Sequence, residues 1–150
     1  MLKTNNKANA GLRTRARELM VQALYQKQIA GHCTSELINQ FQKQAAYNRV
    51  DQDYFNEQFT IISNSQSSLE SKIEKLIDRP LNQLDPIELS ILLIGIHELK
   101  SCIEIPYKVV INEGVNLAKR FGSIEGHKYI NACLDIAARS LRESEIETKT

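Results

Sequence analysis

Three arginines at alternate positions, Arg13, Arg15 and Arg17, stand in the segment NKANAGLRTRAR near the start of the chain. Planar guanidinium groups at that spacing can pair with several phosphates along a nucleic-acid strand, a bidentate fit that lysine lacks. The same segment reads equally as a solvated, charged helix end. A second basic segment, KRFGSIEGHKY, sets Phe121 and Tyr129 among Lys119, Arg120 and Lys128. Cations that meet phosphates, beside rings that stack bases, are the two ingredients of single-stranded RNA binding. Phe121 also falls in register with Val110 and Leu117, so both rings keep a second reading as core residues.

Other chemistry finds no support. There is no G-x-S-x-G, no glycine-rich phosphate loop and no H-E-x-x-H. His32-Cys33 falls at an expected helix end and reads as surface loop. His97 lies inside an apolar helix with no second His or Cys one turn away, so it reads as a packed histidine rather than a ligand or general base. Cys33, Cys102 and Cys133 are odd in number, far apart and lack zinc spacing, which predicts reduced, mostly buried thiols. No catalytic residue, metal or cofactor is expected.

The elements that must position the cations follow from composition. Six Gly and three Pro in 150 residues are too few for many short strands and predict long helices. The longest nearly apolar run, Leu89 to Ile96, has eight residues, well below the roughly 18 that suggest a bilayer span. The N-terminus has no apolar signal region, so a cytoplasmic protein is expected. A net charge of +1 conceals an uneven distribution: residues 1–20 carry five basic groups against one acid, 51–105 carry ten acids against four bases, and 106–128 carry four bases against two acids.

A first helix is predicted from Leu12 to Ala30, with Leu12, Ala16, Leu19, Met20 and Ala23 in one stripe. Arg13 and Arg17 flank the stripe on one side and Arg15 on the other; Gly31 ends the helix. Further helices are expected over Ser35–Ala46, from an Asp51 cap through Ile62, and over Ser68–Ile77, with Ser63–Ser68 as a loop. The strongest start signal is Asp85-Pro86 with Glu88 three residues after the cap, followed by apolar residues on nearly every side: a central buried helix. Pro106 opens the next helix and Gly122 ends it. A last one begins near Gly126, after which the tail ESEIETKT is expected to fray. The reading is a single all-α domain of about seven helices over residues 1–150, its two helical halves meeting near residue 80, with residues 1–11 and 143–150 flexible.

The stretches LDPIELSILLIGIHEL and IPYKVVINEGVNLAKRFGSIEGHKYINACLD, together with the N-terminal RTRARELMVQALYQ, resemble the NusB family of bacterial transcription antitermination factors. The likeness covers the first helix and nearly everything from Leu84 to Asp135, and is loose between Gly31 and Pro80. It implies an all-helical fold of two three-helix bundles. It also implies a non-enzymatic adaptor that binds boxA single-stranded RNA of nascent ribosomal RNA transcripts within the transcription elongation complex, as a heterodimer with NusE, the small-subunit ribosomal protein. By motif position the RNA surface would comprise Arg13, Arg15, Arg17, Phe121, Glu125, Lys128 and Tyr129, while Tyr25 and Glu88 would face the protein partner.

Several positions depart from the family pattern. Thr14 interrupts the arginine run, Glu125 stands where Asp is common, and Tyr129 replaces Phe but keeps a ring. Gly114 replaces Ala at a cost in helix propensity, Ala132 replaces Gly, and Leu93 occupies a position often held by Arg, which would remove a salt bridge to the partner. Two other functions fit the pattern. One is a helical protein-interaction module that works through the acidic middle without RNA. The other is a stand-alone relative of the RNA-binding domain fused to ribosomal-RNA cytosine methyltransferases; against it, the chain shows no α/β cofactor-binding pattern.

Overall fold

A computed structural model describes residues 2–122 and 125–149, without the side chains of residues 2–9 and 149. Among the described residues there is no strand, in keeping with the all-α expectation. The chain divides into two compact units, Met1–Asn64 and Ser65–Thr150, so the boundary lies earlier than residue 80.

The first unit holds α1 (Leu2–Ala30), α2 (Thr34–Gln42), a short 3₁₀ helix (Ala45–Arg49) and α3 (Gln52–Asn64). The predicted stripe is the buried face of α1: Ala16, Leu19, Met20 and Ala23 are shielded, joined by Leu24, while Leu12 is exposed. Across from it lies a row of rings. Phe55 and Phe59 stack at 5.7 Å, Tyr47 meets Phe55 edge-on at 6.0 Å and Phe41 approaches Phe55 at 6.4 Å, spacings at which aromatic pairs add to simple burial. Gly31 takes φ 72° and its N–H donates to the Lys27 carbonyl, ending α1 as expected of a left-handed cap. Asp51 starts α3 by accepting from the Tyr54 N–H at 3.0 Å.

Three boundaries differ from the sequence reading. Helical backbone begins at Leu2 rather than Leu12. α2 stops at Gln42, and residues 45–49 wind more tightly, which buries the Tyr47 ring beside Phe55. The expected loop at 63–68 shrinks to Ser65, because α3 continues to Asn64 and α4 (Gln66–Glu74) starts at once. Serine only weakly disfavours helix, and no Gly or Pro interrupts the run.

The second unit adds a 3₁₀ turn (Leu81–Gln83), α5 (Pro86–Ser101), α6 (Tyr107–Phe121), α7 (Gly126–Leu141) and α8 (Glu143–Lys149) to α4. Asp85 caps α5 by accepting from the Ile87 and Glu88 N–H groups at 2.7 and 3.4 Å. Every residue from Leu89 to Leu99 is buried. Leu93 is fully enclosed, its side chain serving the core. Ser90 and His97 are enclosed too; the Ser90 hydroxyl donates to the Pro86 carbonyl.

Gly114 is more than a helix-propensity cost. A Cβ there would stand 2.6 Å from Leu134 Cδ1, and one at Gly95 would stand 2.6 Å from Leu134 Cδ2. The side chain of Leu134 on α7 thus fills the space left by glycines on α5 and α6.

Most of the tail expected to fray is helical. Residues Glu143–Lys149 form α8, anchored by buried Arg142, whose guanidinium donates to the carbonyls of Glu98, Leu99, Cys102 and Ile105 and to Glu145. Glu145 in turn accepts from the Tyr107 N–H at 3.0 Å, at the start of α6. The Arg142 bonds add a side-chain donor to carbonyls at and just beyond the end of α5, where the helix runs out of N–H donors. Met1 and Thr150, at the ends of the segments expected to be flexible, lie outside the described residues.

Candidate nucleic-acid interface

The three arginines of α1 differ in surroundings. Arg15 is exposed and pairs with Glu18 at 2.8 Å, an i,i+3 contact on the same helix. Arg13 is partly exposed: its guanidinium lies 4.6 Å from the Tyr54 ring centroid and Nε is 3.6 Å from Asp51. Arg17, expected to flank the stripe in solvent, is only 3% exposed and stands 5.4 Å from the same ring. Tyr54 from α3 fills the side of α1 on which Arg13 and Arg17 lie, with both guanidinium groups over its ring. The first unit therefore offers two arginines to solvent from this run and keeps the third inside.

In the second unit, Lys119 and Arg120 are exposed at the end of α6, and Phe121 is half-buried with the Arg120 guanidinium 5.5 Å from its ring. Gly122 follows, its N–H donating to the Ala118 carbonyl at 2.8 Å. Ser123 and Ile124 lie outside the described residues. Glu125 and Lys128 are exposed and pair at 3.8 Å across the first turn of α7. Tyr129, one residue on, is half-buried and has the Arg79 guanidinium 4.7 Å from its ring centroid. Burial and then the Cys133 thiol push the Tyr129 phenol up to about 12, so it stays neutral at ordinary pH. The ring is a hydrogen-bearing, uncharged surface edged by cations.

Of the residues assigned to a protein partner, Tyr25 is exposed on α1 at 39%. Glu88 is half-buried on α5; burial, then Asp85, raise its carboxyl above the usual range, while Arg79 pulls it down. Two residues escaped the sequence reading. Arg79 carried only a helix-stop signal beside Pro80, and no periodicity ties position 79 to 129. Arg142 looked like the end of the last helix, because its partners lie 37 to 44 residues away.

His97 is packed as expected, 3% exposed with Nε2 3.9 Å from Cys102 Sγ. Cys102 and Cys133 are buried, whereas Cys33 is exposed just before α2, in keeping with the surface-loop reading of His32-Cys33. Among the described residues, no cluster of three His, Cys, Asp or Glu could hold a metal ion, and no helix is long and apolar enough to cross a membrane.

A model of the NusB family matches residues 14–139. The transcription antitermination protein NusB of Marinobacter nauticus is 43% identical over 136 residues, covering 91% of this chain and 86% of that protein. The protein of the same name from Pseudomonas syringae pv. tomato is 40% identical over 141 residues, with 94% and 86% covered. A solved T. maritima NusB structure superposes with a TM-score of 0.72 at 23% identity, over 85% of this chain and 91% of that one, and shows the same fold. These likenesses place the chain in the NusB family of transcription antitermination factors, a family of non-enzymatic proteins.

Proposed function

We propose that the chain performs antitermination in the cytoplasm by binding boxA single-stranded RNA of nascent ribosomal RNA transcripts together with NusE. The observation that carries this reading is the second unit's pairing of solvent-facing cations, Lys119, Arg120 and Lys128, with two half-buried rings, Phe121 and Tyr129, each already under a guanidinium. Half-burial fixes a ring in place while leaving surface on which an unstacked base can rest. In the first unit, Arg13 and Arg15 supply phosphate contacts. The carboxylates Asp51, Glu18 and Glu125, which neutralise neighbouring cations in the free chain, are the groups that phosphates displace.

Arg17 supports the interface from inside by fixing Tyr54, over which Arg13 lies. Tyr25, exposed on α1, and Glu88, on α5, serve the NusE contact; each projects an aromatic or acidic group suited to a basic ribosomal protein. Chemical-shift mapping tests the assignment. Adding boxA RNA to the isotope-labelled chain is expected to move the amides of residues 13–15, 119–121 and 128–129, while NusE moves those around Tyr25 and Glu88. NusE-induced shifts with no RNA-induced shifts would contradict it and favour a protein-interaction module.

A further inference from the structure

The ring of Tyr129 is not bare. Arg79, between α4 and Pro80, lays its guanidinium 4.7 Å from the ring centroid, and its Nε donates to Asp78 at 3.1 Å. Yet 43% of the Arg79 side chain remains open to solvent, as does 77% of Asp78. A guanidinium plane laid on an aromatic ring is itself a surface on which an RNA base stacks, and it brings a charge that the phenol lacks. Asp78 occupies that charge in the absence of RNA, as an intramolecular stand-in for a phosphate.

We propose that Arg79 is an RNA-contacting residue: its guanidinium is the outer layer of the Tyr129 platform, takes a base on its open face and exchanges Asp78 for a phosphate. The proposal rests on the RNA-binding reading and deepens it, turning a ring into a two-layer stack and adding a carboxylate that restrains affinity. Base stacking and charge enter through the same side chain, so substitutions can separate them.

The test uses the full chain with NusE, a fluorescently labelled single-stranded boxA RNA and a scrambled strand of equal length, with binding read by anisotropy at several salt concentrations. Arg79→Ala is expected to weaken boxA binding about tenfold or more, in the range of one lost stacking contact. Arg79→Lys keeps the charge without the plane; it should retain the wild-type salt dependence yet bind several-fold more weakly. Asp78→Asn should tighten binding several-fold, a gain that no folding defect can mimic, and thermal melts of all three should match the wild type.

Arg79→Ala binding within twofold of wild type, while Arg13→Ala/Arg15→Ala loses affinity, would overturn the role of Arg79 and leave the RNA reading standing. Asp78→Asn with unchanged or weaker affinity would overturn the exchange. A wild-type chain that binds neither strand would overturn both the proposal and the reading on which it rests.

Discussion

Arg15 and Arg17 stand two residues apart on α1 and end in opposite surroundings, one on the surface with Glu18 and the other buried beside Tyr54. The sequence places them on opposite sides of the apolar stripe, about 200° apart around the helix, and packing against Tyr54 then buries only Arg17. Arg17→Ala should therefore cost about 2 kcal/mol through lost packing and a changed Tyr54 contact. Arg15→Ala should leave stability within about 0.5 kcal/mol, since exposed ion pairs contribute little, while weakening RNA binding. Urea melts of the two variants, beside RNA titrations, check this; equal melts would contradict the assignment. His97 is a second residue with a measurable signature. Burial, with a smaller contribution from Lys100, pushes its imidazole below the ordinary value. A group with a depressed folded-state value stabilises fully above its unfolded value, about 6.5, and that contribution is lost as pH falls through the folded value. The denaturation midpoint should thus drop below about pH 6.5, and His97→Gln should flatten that part of the profile; an unchanged slope in the variant would contradict it.

At the level of elements, the chain end is held by a latch. Arg142 places five hydrogen bonds on four backbone carbonyls and Glu145, and Glu145 reaches the N–H of Tyr107, so the end of α5, the start of α6 and α8 are tied through two side chains. Lysine presents one nitrogen where arginine presents a fork. Arg142→Lys should cost about 3 kcal/mol, the sum of a few buried acceptors left unmet, seen as a lower melting midpoint; a midpoint unchanged from wild type would contradict the latch. Elements set by local chemistry were legible from residue order: the Asp85-Pro86 start, the Gly31 stop and the apolar run of α5 all depend on neighbours within a few positions. The latch was not, because it joins residues some 40 apart. The serine run at 63–68 misled for a related reason: its composition suggested a loop, whereas α3, with buried Ile62, runs to Asn64 and α4, with buried Leu69 and Ile73, starts at Gln66.

At the scale of the whole molecule, the net charge of +1 is the balance of basic segments in each of the two units against an acidic middle. The candidate site was legible in kind, as cations and rings, because residue type alone carries that chemistry. Its finer sorting was not: burial of Arg17, the cover of Arg79 on Tyr129, and the carboxylates at Asp51, Glu18 and Glu125 depend on packing. The central claim, that these segments bind RNA chiefly by neutralising phosphates, has a thermodynamic consequence. For roughly three to five phosphates contacted, the logarithm of the association constant should fall linearly with the logarithm of salt concentration, with a slope of about −2 to −3.5 for a single strand. Titrating boxA RNA into the chain with NusE at several salt concentrations measures that slope directly. The account predicts a slope in this range that becomes shallower in Arg13→Ala/Arg15→Ala; a flat salt response would contradict it.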